Sequence, residues 1–323
     1  MMNRKTCSIV ISLFNEEDAL PVLYRSLTEE VGKETALDWE FIFVDDGSTD
    51  RSFEILRQLH ENDKRIKVIR LSRNFGAHEG TAAGINFAGG DAAILMAADM
   101  QDPPELIHEF IKKWREGYQV VWGTRQDRKD PFIKKFLASI FYWTVSKTAS
   151  QSHPSKGSGS FCLITRPVIN LYNRLSEHNR VTFELIAWMG FRQAEVGFSR
   201  PGRYAGKSKF TIGRQLKTAF DSLFAMTQLP VRIISYFGFI TALMSMGWAS
   251  LIIFQWLFYG VKVLGWASIM VSVLFLGGVI LISIGMIGEY LWRILDESRR
   301  RPLYVVMEKL GEFQNGQNGQ RDN

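Results

Sequence analysis

Two long apolar stretches near the C-terminus, Ile233 to Tyr259 and Trp266 to Leu291, restrict what this chain can be. Each exceeds the roughly 20 residues that cross a hydrocarbon core, and neither carries an acidic side chain before Glu289. A buried soluble hairpin is the alternative, and the length and lack of acids favour a membrane hairpin over it. Lys262 is the one charged residue in the Gly260 to Gly265 connection, whereas Arg232 precedes the first stretch and Arg293, Arg299, Arg300 and Arg301 follow the second. Positive flanks stay on the cytoplasmic side, so the large N-terminal region and the short tail are expected there, with the connection on the far side. Trp248, Trp256, Tyr259, Trp266, Tyr290 and Trp292 supply candidates for interfacial belts. Cys7 to Phe14 is too short an apolar run for a signal peptide and is followed at once by Asn15, Glu16 and Glu17.

Composition agrees with a soluble core plus a membrane hairpin: 323 residues, 46% hydrophobic and 22% charged. The net charge of +6 suits an anionic lipid surface or a phosphorylated substrate as well as nucleic acid, and does not by itself choose among them. The two cysteines, Cys7 and Cys162, have neither disulfide-framework nor zinc spacing and read as reduced core residues. The five histidines are scattered without metal-ligand spacing.

Short β-rich runs alternate with helical patterns from the start of the chain. Cys7 to Phe14, Trp39 to Val44, Ile66 to Leu71, Ala92 to Ala97 and Gln119 to Gly123 read as buried parallel strands. Ala19 to Val31, Ser52 to Asn62, His78 to Ala88 and Pro104 to Glu116 read as the intervening helices. Such repeated units imply an α/β, doubly wound, mostly parallel sheet, whose ligands bind outside the carboxyl ends of the strands. Beyond Gly123 the pattern predicts a helix over Phe132 to Thr148, a polar loop over Ser150 to Ser158, and strands over Gly159 to Ile164 and Gln193 to Phe198. Thr211 to Met226 is amphipathic and, leading into the first apolar stretch, fits either the bilayer interface or the soluble surface. The division expected is a soluble domain over residues 1–210, an interface helix over 211–232, a hairpin over 233–292 and a tail over 293–323, disordered from Gly311 on.

The polar motifs fall at strand ends. Asn15 and Glu16 follow the first strand, Asp45 and Asp46 the second, Arg73 and Asn74 the third, and Asp99 and Gln101 the fourth. Carboxylates placed there can accept hydrogen bonds from a base or ribose. Asp50 reads as a helix cap, and Asp46-Gly47 also fits a turn, but two adjacent acids ending a buried strand favour ligand contact. Gly76, Gly80 and Gly84, four apart on a helix, read as close-packing positions rather than a dinucleotide turn, and His78 is a candidate phosphate neighbour. Gly206-Lys207-Ser208 is no P-loop, because Pro201 stands where that motif begins with glycine.

Taken in order, Asn15-Glu16, Asp45-Asp46-Gly47-Ser48, Arg73-Asn74-Phe75-Gly76, Asp99-Met100-Gln101-Asp102-Pro103-Pro104-Glu105 and Arg203-Tyr204-Ala205-Gly206-Lys207-Ser208-Lys209-Phe210, ahead of the hairpin, carry a resemblance. The chain resembles the family 2 glycosyltransferases of the GT-A fold, and within them the polyprenyl-phosphate enzymes that include dolichol-phosphate mannose synthases and bacterial undecaprenyl-phosphate sugar transferases. The resemblance implies a multi-pass inner-membrane enzyme with its catalytic domain in the cytoplasm. It implies inverting transfer from a nucleoside diphosphate sugar, a UDP-sugar above GDP-mannose, to a polyprenyl phosphate, with no nucleic-acid partner. It also implies magnesium or manganese against the donor diphosphate.

Two positions depart from the family pattern. The usual Asp-x-Asp pair is here Ala97-Ala98-Asp99, so Asp99, with Gln101, is left as the metal-binding set. Magnesium tolerates this because it often takes only one or two protein carboxylates beside phosphate oxygens and water. In Gly159-Ser160-Phe161-Cys162-Leu163, Ser160 stands where bacterial relatives often have aspartate and Cys162 where they have arginine. A phosphate monoester with a second pKa near 6 is already largely deprotonated at neutral pH, so a general base adds little. Stabilising the leaving diphosphate matters more and calls for cations. By resemblance Arg203, Lys207 and Ser208 close over the diphosphate, Arg125, Arg128 and Lys209 serve the acceptor phosphate, and Asp99, Ser160 and Arg125 form the catalytic set. A polysaccharide synthase would show a Gln-x-x-Arg-Trp motif and more spans, and neither is present. The remaining alternative, prompted by Ala97, is a catalytically silent relative that binds nucleotide sugar or lipid as a scaffold. Gly277, Gly278, Gly285 and Gly288 would allow helix contacts in a homo-oligomer.

Overall fold

The computed structural model describes residues 4–126, 158–175, 177, 181–199 and 265–313, with scattered helical positions between 236 and 258. The chain divides into two units, one of Met1–Ser146, Ser150–Phe210 and Pro302–Asn323, the other of Thr211–Arg301 with Lys147–Ala149. The expected helices over Phe132 to Thr148 and Thr211 to Met226, and the whole 211–232 segment, lie outside the described residues.

In the first unit every expected strand forms: β1 (Lys5–Leu13), β2 (Leu37–Asp45), β3 (Ile66–Leu71), β4 (Ala92–Ala97), β5 (Val120–Arg125), β6 (Ser158–Thr165) and β7 (Gln193–Phe198). An eighth, β8 (Val306–Leu310), comes from the segment expected as a tail. The helices are α1 (Leu20–Gly32), α2 (Ser52–Asn62), α3 (Ala77–Phe87), α4 (Ile107–Arg115), α5 (Arg166–Arg174) and α6 (Thr182–Trp188). A 3-10 turn over Pro104–Leu106 leads into α4, because Pro103 and Pro104 set the entry angle ahead of the helix. One sheet holds all eight strands in the order β7-β5-β6-β4-β1-β2-β3-β8. β1, β2, β3 and β4 run parallel, as do β5 and β7, whereas β6 is antiparallel to both β4 and β5, and β8 is antiparallel to β3.

The central strands are covered on both faces, which is why they read as unbroken apolar runs. Ile9, Val10, Ile11, Phe41, Ile42, Phe43 and Ile94 are all buried, and Phe110 of α4 packs on Phe161 of β6 with ring centroids 4.7 Å apart. Helix α3 lies against β1 and β2 through Gly80 and Gly84, where an added Cβ would run into Ser12 and Val10. Those two glycines are close-packing positions, as the sequence implies.

One buried polar group ties three strands to the α3–β4 turn. Glu40 of β2 accepts hydrogen bonds from Ser8 Oγ, Gly89 N–H (2.6 Å) and Gly90 N–H (3.1 Å), and its other oxygen pairs with Lys67 Nζ at 2.7 Å. Burial pushes its pKa up, but Lys67, Ser8 and the Gly89 amide together outweigh that and hold it below the ordinary 4.5.

In the second unit, α7 (Trp266–Ser298) contains a segment, Phe275–Ser298, of mean hydropathy 1.7 that is long and apolar enough to cross a membrane, and none of its apolar window is buried. Two spans are expected from sequence; among the described residues this one helix meets the criterion. Ile233 to Tyr259 lies partly outside the described residues, and its described positions are helical and largely exposed.

Replacing Glu40 by alanine leaves Lys67, the Ser8 hydroxyl and the Gly89 amide without their acceptor, while the Gly90 amide keeps Ser8 Oγ, a loss of about 3–5 kcal/mol on the scale of a broken buried pair. We expect this as a lowered midpoint in denaturant melts of the purified chain. Because the folded pKa is depressed, the part of the stabilisation that depends on ionisation is in place above 4.5 and is lost as pH falls through the folded value, so the gap between wild type and Glu40→Ala should narrow under acid conditions.

Candidate active site at the carboxyl edge of the sheet

The register of the parallel strands brings the polar motifs to one edge. Leu13 of β1 is level with Asp45 of β2, Asp45 with Arg70 of β3, and Ser12 with Ala97 of β4. β5 runs in the same direction and ends there at Arg125, level with Phe198 of β7, while antiparallel β6 enters at this edge with Ser158, level with Thr124, and Ser160 follows two residues on. Asn15, Glu16, Asp45, Asp46, Arg73, Asn74, Asp99, Gln101, Arg125 and Ser160 therefore share one rim. Arg128, Arg203, Lys207, Ser208 and Lys209 lie outside the described residues.

The loops after β1 and β2 brace each other. Asn15, in a left-handed conformation at φ 54° that asparagine tolerates, donates its N–H to Ser48 Oγ (2.9 Å) and accepts the Thr49 N–H at Oδ1 (2.8 Å). Glu16 N–H donates to Ser52 Oγ at 2.9 Å, and Asp50 accepts the Ser52 N–H at the start of α2, the capping role expected of it. Asn15 thus braces the loops with both its main chain and its side chain, and Glu16 with its main-chain N–H. Ser48 and Ser52 are bracing positions that sequence reasoning did not single out, and the signal for them is the hydroxyl placed beside a helix start.

Asp45 and Asp46 are adjacent, buried and unlike. Asp46 accepts the Phe75 N–H at Oδ1 (2.8 Å) and the Gly76 N–H at Oδ2 (2.9 Å), so both oxygens are directed at the loop after β3. Through those two amides it clamps the loop after β3. Burial raises its pKa to about 6 against the pull of those two amides. Gly47, at φ 70°, presses on the same loop: a Cβ there would sit 2.6 Å from the Arg73 carbonyl carbon. Asp45 accepts the Ser48 N–H at Oδ1 (2.9 Å), but its Oδ2 is fully buried with no hydrogen-bond donor, and the nearest cation is Arg70 Nε at 3.6 Å. Burial is the main reason its pKa is raised. A buried carboxylate oxygen without a donor, at the ligand-binding edge, is the group a ligand N–H or O–H would satisfy. Arg73 and Asn74 are exposed, with the Arg73 guanidinium 4.3 Å from the Phe75 ring centre.

The loop after β4 is a tight turn with Met100 at φ 60°. Asp99 Oδ1 accepts the Gln101 N–H (3.2 Å), and buried Asp102 accepts the Ala97 N–H at 2.9 Å, closing the loop back onto the strand end. Asp102 is thereby a brace, a role its Asp-Pro-Pro context concealed. The donor set that would hold a divalent ion is one carboxylate, Asp99, and one side-chain amide, Gln101. It fits a hard cation that draws most of its shell from a diphosphate and water. Among the described residues no group of three His, Cys, Asp or Glu gathers elsewhere. His78 is half-buried, its ring 6.0 Å from that of Phe183, and burial lowers its pKa, so it enters as a neutral imidazole. Cys7 and Cys162 are buried with thiol pKa values pushed up, which removes them as nucleophiles.

A cleft of about 590 Å³ opens at the opposite end of the sheet, lined by Lys5, Asp91, Trp114, Arg115, Tyr118 and Arg166. Its cations are engaged: Arg166 with the Ala88 and Gly90 carbonyls, Arg115 with Glu34, and Lys5 over the Trp114 ring. The carboxyl edge, with its buried unsatisfied Asp45 oxygen, is the candidate site.

Comparison with known proteins gives the family of the chain. The model of the family described as "Glycosyl transferase family 2" matches residues 8–170, which span β1 to the start of α5. An uncharacterized glycosyltransferase, sll0501, of Synechocystis sp. is 42% identical over 305 residues, covering 94% of this chain and 95% of its own. The uncharacterized glycosyltransferase YkcC of Bacillus subtilis is 39% identical over 305 residues, covering 94% of each. A bactoprenol glucosyl transferase of Shigella phage SfV is 35% identical over 300 residues, covering 93% of this chain and 97% of its own. With half the chain inside the family model and relatives matched along nearly its full length, the protein belongs to glycosyl transferase family 2 and is a glycosyltransferase with a GT-A-like, mostly parallel sheet.

Proposed function

We propose that this enzyme transfers a sugar, with inversion, from a UDP-sugar to a polyprenyl phosphate at the cytoplasmic face of the inner membrane. The observation that carries the donor half is the buried Asp45 Oδ2, which lacks a hydrogen-bond donor at the strand edge where nucleotides bind in open α/β sheets. A nucleobase N–H would satisfy it, with Arg73 and Asn74 toward the ribose and phosphates. The acceptor half is supported by the full-length similarity to a bactoprenol glucosyl transferase and by the apolar Phe275–Ser298 segment. Two spans, with Ile233 to Tyr259 as the first, would keep both ends of the chain in the cytoplasm.

The chemistry needs little from the protein beyond position and charge. A phosphate-monoester oxygen of the lipid attacks the anomeric carbon, and the bond from that carbon to the diphosphate oxygen breaks, its electron pair leaving with UDP. With a second pKa near 6 the attacking phosphate carries no proton that must be removed at neutral pH, so Ser160 in place of an acid is compatible with turnover. Arg125, Arg128 and Lys209 would hold the acceptor phosphate, and Arg203, Lys207 and Ser208 the diphosphate. Magnesium or manganese, when bound at Asp99 and Gln101, would neutralise charge on the leaving diphosphate.

The purified enzyme should move radiolabel from one nucleotide sugar among UDP-glucose, UDP-galactose, UDP-N-acetylglucosamine and GDP-mannose into an organic-extractable lipid when given undecaprenyl phosphate. Chelation of divalent ions should suppress that label; transfer that survives chelation would remove the metal from the mechanism, and no label from any donor would overturn the proposal. Asp45→Asn replaces an acceptor with a donor and should raise the donor KM about tenfold, equivalent to about 1.4 kcal/mol, with the lipid KM unchanged. An unchanged donor KM would mean that Asp45 does not face the nucleotide.

A further inference from the structure

From the geometry we infer that Pro302–Phe313, the segment after the membrane-type helix, is a positioning strap for the donor loop Ser72–Gly76, with Tyr304 as its key side chain. The inference rests on the nucleotide-sugar reading of that edge. Three residues, Arg299–Arg301, separate the end of α7 from Pro302. The chain then lies along the open edge of β3, with Val68 opposite Leu310, Ile69 opposite Lys309, Arg70 opposite Glu308 and Leu71 opposite Val306.

The pairing continues past the strand into the loop. Ser72, the residue before Arg73, donates its N–H to the Val305 carbonyl at 2.9 Å. Tyr304 OH accepts Asn86 Nδ2–H at 3.0 Å, which fastens the strap to the last turn of α3, the helix whose first turn follows the loop. Farther along, Glu308 pairs with Arg57 of α2 at 3.2 Å, and Phe313 meets Phe87 of α3 edge-on at 5.2 Å. The register of β3 against β8 shifts between Arg70 and Leu71, beside the residue whose guanidinium approaches Asp45.

The loop is thus gripped on both sides. Asp46 holds its far end through Phe75 and Gly76, Gly47 packs under Arg73, and Val305 holds its near end through Ser72. Asp46 and Gly47 belong to the nucleotide edge, whereas Val305 and Tyr304 are reached only through the apolar helix. Seating the strap should therefore favour the loop conformation that binds donor, and donor binding must in return favour the seated strap.

The experiment uses the full chain in detergent or nanodiscs, with UDP and GDP as probes. Calorimetry establishes which nucleotide binds, and hydrogen exchange then compares the Ser72 amide and Val306–Leu310 with and without it. The bound nucleotide should slow exchange at both places at least about threefold. Tyr304→Phe should raise the donor KM about fivefold, the effect of one lost hydrogen bond, and leave kcat, the lipid KM and the thermal midpoint unchanged. Asn86→Ala should raise the donor KM likewise, and the double variant should add nothing to either single change. Nucleotide binding with unaltered strap exchange, or a Tyr304→Phe enzyme with wild-type donor KM, overturns the strap alone. A joint fall in kcat and thermal midpoint assigns Tyr304 a merely structural role and overturns it too. Failure of every nucleotide to bind overturns the donor reading and the strap with it.

Discussion

The site depends on the Asp46 carboxylate, whose two oxygens hold the Phe75 and Gly76 amides across from the next strand. Parallel strands do not position the loops beyond their ends; ladder bonds stop at Asp45 and Leu71. A side chain with two acceptors, placed one residue past the end of β2, bridges that gap. It fixes where Arg73 and Asn74 emerge, where α3 begins, and how closely Gly47 can approach. The cost is a carboxylate out of water, visible in a pKa raised to about 6. Asp45, beside it, keeps one buried oxygen without a donor, so two neighbours of one type stand in different hydrogen-bonding environments.

The same economy recurs along the rim. Asp102 turns back to the Ala97 amide, Asp50 caps α2, and Ser48 and Ser52 receive the amides of Asn15 and Glu16. Short polar side chains satisfy loop amides that would otherwise be left without partners near the core. The result is a rim whose loops are cross-braced by hydrogen bonds, as positioning of charged partners would require. The substitution of Ala97 belongs in this setting. Its backbone amide is anchored by Asp102, so the loop keeps its shape with one carboxylate fewer, and Asp99 remains at the turn.

Much of this was legible along the chain. Ile66 to Leu71, Ala92 to Ala97 and Gln193 to Phe198 coincide with their strands; in Ala92 to Ala97 the unbroken apolar run reflects burial on both faces, whereas Ile66 to Leu71 and Gln193 to Phe198 carry polar residues at their half-buried or exposed positions. Gly80 and Gly84 declared close packing by their spacing on a helix. Helix α5 and helix α6 escaped notice because their apolar faces are short, and β8 escaped because its alternation sits behind an arginine run in what reads as a tail. The antiparallel course of β6 was equally hidden, since an apolar run carries no direction.

What the sequence by itself determined is the alternation of strands and helices, the strand-end location of the polar motifs, and the apolar segment suited to a membrane, because each is a matter of local pattern and spacing. What only the tertiary structure decided is the division of labour among residues that look alike. Asp45 and Asp46 are neighbours of the same type, and only the position of the β3 loop makes one a clamp and leaves the other with a buried oxygen to be satisfied. Val305 and Ser72 are far apart in the chain, and their hydrogen bond exists because β3 was left with an open edge that a returning segment could fill. Hydrogen-bond partners of this kind are set by which surfaces meet, and no local pattern encodes that.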